Sequence, residues 1–231
     1  MPEQSFTSVR WDGDAVVVID QRRLPAALVE WRLATVADVS EAIRTLAVRG
    51  APAIGITGAY GLVIGLDEAR PTSPKDAYRV LARLEGEVGA LRPTAVNLSA
   101  ALARVRAAAE RSIANGPADV RAAALAEAIA IHDEDRAACA AIGEQGRRLL
   151  GSKRRLLTHC NTGRLATGGD GTALAIVYAL QAAGAAPAVV ATESRPLLQG
   201  SRLTAWELEA AGVDVRLIAD SAAGAAMAQG L

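Results

Sequence analysis

The sequence predicts an α/β protein: a mostly helical N-terminal part with a small β-hairpin, then a part built on a parallel sheet. Three observations predict it. From Lys153 onward, short apolar runs alternate with helical stretches in a β-α-β-α order, the grammar of parallel strands joined by helical crossovers. From Thr35 to Leu150 the apolar residues recur instead at helical spacing. Finally, 51% of residues are hydrophobic but only 3% are aromatic, so alanine and leucine carry the packing, which favours helices.

Residues 8–20 hold two apolar bursts, Val9 with Trp11 and then Ala15 to Ile19, around Asp12-Gly13-Asp14. That reads as strand, turn, strand, ended by Leu24-Pro25. From Thr35 the period changes, with Val36, Val39, Ile43 and Leu46 at helical spacing and Thr35 with Asp38 resembling a capping box. Gly50 is expected to stop this helix and Pro52 to open the next at its first position. The next helix carries Gly55, Gly58, Gly61 and Gly65, small residues on one face that let another backbone approach closely. Further helices are expected over about 75–90, from after Thr94 to about 115, and from about 118 to 150. The last is interrupted, if anywhere, near Gly143 and Gly146.

Strands are then expected at 154–159, 188–192 and 213–219, with helices at 171–183, 203–211 and from about 222. The pattern is Rossmann-like. It divides the chain into a hairpin plus helical domain, 1–150, and a Rossmann-like domain, 151–231. A crossover helix normally delivers another parallel strand, and none follows here, so the sheet is expected to be incomplete at its C-terminal end.

Lys+Arg and Asp+Glu both number 25, a formal net charge of zero. Such a chain lacks the field that holds nucleic acid or an anionic membrane, so neither is an expected partner. Cys139 and Cys160 offer no metal spacing and no disulfide framework. No Walker sequence or G-x-G-x-x-G is present, and no cofactor or metal is expected. Met1-Pro2-Glu3-Gln4 is no secretory leader. The longest apolar stretch, Ala51 to Leu66, is broken by glycines and too short to span a bilayer. A cytoplasmic location is expected.

The chemistry gathers at strand and helix ends. The first parallel strand runs out through Thr158-His159 into Cys160-Asn161-Thr162-Gly163, and ligands bind outside the carboxyl ends of such strands. Cys160 is therefore a candidate reactive thiol, although free cysteine is more often inert packing. Arg49-Gly50-Ala51-Pro52 sets a guanidinium beside free helix N–H groups, a competent phosphate site; an ordinary corner between helices explains it equally well. Arg92-Pro93-Thr94 repeats the arrangement, with a simple helix cap as the alternative. After the second parallel strand, Glu193 and Arg195 are expected to shape the loop as an ion pair. Gln199 is placed at the mouth of the sheet, where an amide can bond sugar hydroxyls. His159 should point to the face opposite Cys160, which argues against a Cys–His pair. His132 and Cys139 read as packing or surface in the long helix, and Asp170 as a turn or cap residue.

Five segments then act together: Ile19-Asp20-Gln21-Arg22-Arg23-Leu24-Pro25, Ala47-Val48-Arg49-Gly50-Ala51-Pro52-Ala53-Ile54-Gly55, Arg92-Pro93-Thr94-Ala95-Val96-Asn97-Leu98, Thr158-His159-Cys160-Asn161-Thr162-Gly163, and Glu193-Ser194-Arg195-Pro196 with Gln199-Gly200-Ser201-Arg202-Leu203-Thr204. In this order the chain resembles the methylthioribose-1-phosphate isomerases, from the hairpin to Leu231. It resembles them more than their relatives, the ribose-1,5-bisphosphate isomerases and the regulatory subunits of eukaryotic initiation factor 2B. One small departure is Gly168 and Gly169, where the family usually carries alanine. The resemblance implies an aldose–ketose isomerase of methionine salvage that converts S-methyl-5-thioribose 1-phosphate to S-methyl-5-thioribulose 1-phosphate without a cofactor, as a cytoplasmic homodimer. It implies Cys160 as the catalytic thiol, moving a proton or stabilising developing charge, and Arg49, Gly50, Ala51, Arg92 and Gln199 as substrate contacts. The alternatives are 5-deoxyribose 1-phosphate or ribose 1,5-bisphosphate as substrate, or a non-catalytic regulatory relative of initiation factor 2B subunits. The family's catalytic aspartate and an Asn-Lys pair are expected beyond the third crossover, where this sequence has ended. The chain as written is therefore expected to lack appreciable turnover and to leave a strand edge open.

Overall fold

Four consecutive apolar residues, Val16–Ile19, form strand β2, and every one is buried. β2 lies between β1, Val9–Trp11, and β3, Glu30–Leu33, in an antiparallel sheet of order β1-β2-β3. Both faces of β2 are covered, since Val16 and Val18 join the helical core while Ile19 packs with Leu24, Leu165 and Leu203. The expected hairpin is thus a three-stranded sheet, with β2 and β3 paired from Val16↔Leu33 to Ile19↔Glu30. The computed structural model that shows this describes residues 6–151, 153 and 155–230. The expectations for Met1 to Gln4, for a strand beginning at Arg154, and for Leu231 lie outside the described residues.

The Thr35–Asp38 capping box is formed and opens α1, Val36–Arg44. Gly50 does not end this helix, however. α1 closes at Thr45, Leu46 takes a left-handed φ of 63°, and Gly50, with φ 92°, is the N-cap of α2, Ala51–Ala69. Pro52 is accordingly the second residue of α2, not its first. Ala53 to Leu66 are buried without exception, because α1, α3 (Pro74–Gly89), α4 (Val96–Arg111) and α5 (Pro117–Leu150) surround this helix. Its glycines do not form one face for one backbone. Gly55 meets the Asn97 backbone, whereas Gly58, Gly61 and Gly65 receive side chains of Leu98, Val39 and Leu84.

Helix α5 runs unbroken for 34 residues. Gly143 and Gly146 do not interrupt it; a Cβ at either would meet Ala175 or Ile176 of α6, Ala173–Ala182. Strands β4 (Arg155–Thr158), β5 (Ala188–Thr192) and β6 (Asp214–Ile218) form a parallel sheet of order β4-β5-β6. After β5 the chain makes a π-helical turn, Gly200–Thr204, that continues into α7, Ala205–Ala210; α8 is Ala223–Ala228. The α/β class holds, with eight α-helices among the described residues. None of them is long and apolar enough to cross a membrane.

The segment after β4 is gripped by the helical half. Ser8 Oγ donates to the Thr167 carbonyl at 2.8 Å, Gln21 Nε2 to that of Leu165 at 2.7 Å, and the Gly168 N–H to Asp135 Oδ2 at 2.7 Å. His132 is buried packing as read: it bridges the Tyr60 hydroxyl and the Gly168 carbonyl, and burial depresses its pKa. Leu24, Leu165 and Leu203 are at most 2% exposed, each contributing about 2 kcal/mol by leaving water. This docking carries the start of α2 to the mouth of the parallel sheet.

Candidate functional site

At the end of β4, Cys160 adopts φ 63°, a left-handed conformation costly for a residue with a Cβ. Its peptide is held from both sides. The Cys160 N–H donates to Ser194 Oγ at 2.8 Å, and its carbonyl accepts from Thr204 Oγ1 at 2.6 Å. His159 lies within 2.6 Å of Thr192 Oγ1 and 3.9 Å of Asp220, while Cys160 engages Arg49. The two side chains take different partners, in keeping with the alternation of the strand.

Arg49 is half-buried and lies close enough to the Cys160 sulfur to interact with it. With the Gln199 amide turned so that both its atoms are paired, its oxygen accepts from Arg49 Nη2 at 3.0 Å and its nitrogen donates to the Ser194 carbonyl at 2.9 Å. Arg49 has a pKa held below the ordinary guanidinium value. Burial is the main cause, opposed by Cys160 and reinforced by the charges of Arg202 and Arg92. The structure thus sets Cys160, Arg49, Arg92 and Gln199 in one neighbourhood and adds Arg202 to it. Among the described residues none of the three arginines pairs with a carboxylate; the four acceptors of Arg202 are the backbone carbonyls of Gln21, Arg22, Leu24 and Leu197. Three guanidiniums without a carboxylate partner, close enough for Arg49 to feel the other two, attract anions.

Gly50 and Ala51 sit at the start of α2, whose N-cap makes no side-chain bond, so its first N–H groups face outward. A Cβ on Gly50 would overlap the Ala166 backbone. The absent side chain thus lets the helix end close on the loop that follows Cys160. Arg92 stands four residues before α4, and Thr94 does not cap that helix.

One expectation is corrected. Glu193 and Arg195 form no ion pair with each other; Asp220 shapes that loop by accepting from the Ser194 and Arg195 N–H groups at 2.7 and 2.8 Å. Those two bonds hold its pKa low. Asp170 stands in the bend that closes the glycine cluster, as read, and pairs with Arg164 at 2.8 Å. A cavity of about 530 Å³ lies between α5 and α6, lined by Cys139, Arg164 and Tyr178. It contains none of the clustered residues, and volume does not mark the chemistry here.

Residues 47–229 match the initiation factor 2 subunit family, a span that holds every member of the arginine–thiol cluster. The chain belongs to that family. This member of the initiation factor 2 subunit family is 46% identical over 220 residues to a protein of Alkalilimnicola ehrlichii named methylthioribose-1-phosphate isomerase, covering 95% of this chain and 62% of that one. It is 46% identical over 227 residues to a protein of Moorella thermoacetica named 5-deoxyribose 1-phosphate isomerase, covering 98% and 65%. Its fold matches 5-methylthioribose 1-phosphate isomerase from Pyrococcus horikoshii OT3 with a TM-score of 0.89 at 34% identity, over 98% of this chain and 64% of that one. It also matches the translation initiation factor eIF-2B subunit delta from A. fulgidus with a TM-score of 0.87 at 40% identity, over 98% and 66%. The chain thus spans less than two thirds of the length of each of these proteins.

Proposed function

We propose that this chain supplies the phosphate-gripping and thiol-bearing part of a sugar-phosphate isomerase, acting on methylthioribose 1-phosphate. The observation that carries the reading is the convergence of Arg49, Arg92 and Arg202, without carboxylate partners, beside Cys160. The names of the Alkalilimnicola, Moorella and Pyrococcus proteins support it. A regulatory role without catalysis would leave the Arg49–Cys160 contact without a purpose. With it we propose that residues 1–150 and 151–231 are two domains, each with its own apolar cluster, within a cytoplasmic homodimer.

The substrate is an aldose with phosphate on its anomeric carbon, so the ring cannot open spontaneously to a free aldehyde. Opening needs a proton on the ring oxygen. Hydrogen then moves from C2 to C1, and the C2 hydroxyl gives up its proton as the ketone forms, which returns the proton taken up. The arginines and the N–H groups at Ala51 and Ala53 hold the phosphate, Gln199 bonds a sugar hydroxyl, and Cys160 moves a proton or steadies charge at the carbons between.

Calorimetric titration with methylthioribose 1-phosphate, with unphosphorylated methylthioribose and with inorganic phosphate tests this. The sugar phosphate is expected to bind with a Kd of about 0.1 mM or tighter, the free sugar not at all, and phosphate weakly. Equal binding with and without the phosphoryl group, or no binding of any of them, would contradict it.

A further inference from the structure

Glu207 is unused by the chemistry above, yet it is 0% exposed on the inner side of α7. A buried carboxyl is costly unless bonded, and its principal bond leads straight to the thiol. Glu207 Oε1 accepts from Asn161 Nδ2 at 2.5 Å. The same amide nitrogen donates to Thr204 Oγ1 at 3.3 Å, and the Thr204 hydroxyl donates to the Cys160 carbonyl at 2.6 Å. Two glycines make room for this. A Cβ on Gly163 would overlap the Glu207 carboxylate, and one on Gly200 would overlap the Thr192 carbonyl against which the π turn begins. That turn presents Thr204 to the Cys160 peptide and leads into α7, which carries Glu207 to Asn161, while Gln199, just before it, reaches Arg49.

We infer that Glu207 is the positioning residue for Cys160: through Asn161 and Thr204 it fixes the left-handed Cys160 peptide and so holds the sulfur against Arg49. The inference rests on the reading of Cys160 as the working thiol. Glu207 itself touches neither the sulfur nor the anion site. The charged and titratable groups around the network are few. Tyr178 of α6 faces Glu207, and Arg164 covers the Tyr178 ring at 4.4 Å while paired with Asp170. Arg49, with Arg92 and Arg202 behind it, lies on the Cys160 side, and His159 faces Asp220. Burial pushes the Glu207 carboxyl up to about 7, so the network changes charge within the working range of a thiol assay.

The test is the rate of Cys160 alkylation by iodoacetamide between pH 5.5 and 9, resolved from Cys139 by peptide mass spectrometry. Wild type is compared with Glu207→Gln, Glu207→Leu, Thr204→Val and Arg49→Ala, each confirmed folded by circular dichroism. Glu207→Gln, whose amide oxygen still accepts from Asn161, is expected to stay within about two-fold of wild type. Thr204→Val and Glu207→Leu, which cut the link, are expected to slow Cys160 by about three-fold or more, toward the Arg49→Ala rate, with Cys139 unchanged. Should Glu207→Leu fail to fold, Thr204→Val, nearly the same in shape, decides the matter. A folded Thr204→Val with the wild-type rate, or a Glu207→Gln rate that falls as far as that of Glu207→Leu, overturns the inference. Because this readout needs no substrate, failure of sugar phosphate to bind would overturn the functional reading and leave this one standing.

Discussion

Replacing Arg49 with alanine is expected to weaken binding of the sugar phosphate by about 100-fold while leaving the protein as stable as wild type, or slightly more stable. Each hydrogen bond to a charged group is worth about 1.5–3 kcal/mol, and a guanidinium that grips a phosphoryl group makes two. In the folded chain Arg49 is half-buried, and two other guanidiniums add repulsion to its lost hydration, a stress that a bound anion relieves. Its depressed pKa expresses that stress, burial first and the neighbouring charges after it. Removing it gives up the bond to Gln199 and the attraction to Cys160 but also the desolvation and the repulsion. Titration calorimetry and urea unfolding on the same variant check both halves. A large loss of stability with binding intact would assign Arg49 to the fold instead.

The second large effect is on stability against pH. The Glu207 carboxyl, ordinarily near 4.5, is raised to about 7 in the folded chain, with burial as the main cause. Between those values the folded state keeps a proton that the unfolded state has released, so raising the pH favours unfolding. Stability contributed by this group is full below about 4.5 and is lost as pH rises through 7, a difference of about 3 kcal/mol. His132 works in the opposite sense. Burial lowers its folded pKa from 6.5, so its unfavourable contribution grows as pH falls below that value. The comparison of wild type with Glu207→Gln isolates the carboxyl: urea unfolding at steps from pH 4.5 to 7.5 should show wild type losing about 3 kcal/mol relative to the variant. Parallel curves would mean that Glu207 is charged in the folded protein throughout.

What could be read from the sequence was whatever sits at the ends of regular elements. Cys160 at a strand exit, Arg49 before a helix and Gln199 in a loop are each placed by local pattern, and the structure brings them within reach of one another. β3 was missed because Leu24-Pro25 reads as the end of the hairpin, although Trp31 and Leu33 alternate toward the core as a strand requires. The glycines of α5 looked like breaks, but close packing on α6 outweighs their poor helix propensity. Gly50 looked like a helix stop because its role depends on Ala166, more than a hundred residues later. The role of Arg202 was hidden for the same reason, since its acceptors include carbonyls of Gln21 and Leu24 far upstream. Glu207 did leave a signal. It lies four residues after Leu203 on the same helical face, and both are fully buried; an acid in register with a core leucine marks a carboxyl turned inward.

The juxtaposition of thiol and cationic cluster is tested most directly by protection of Cys160 from alkylation. Saturating methylthioribose 1-phosphate should slow iodoacetamide modification of Cys160 by about ten-fold or more, leave Cys139 unaffected, and give no protection in Arg49→Ala. Unchanged alkylation of Cys160 in the presence of bound sugar phosphate would place the ligand elsewhere and contradict the site described.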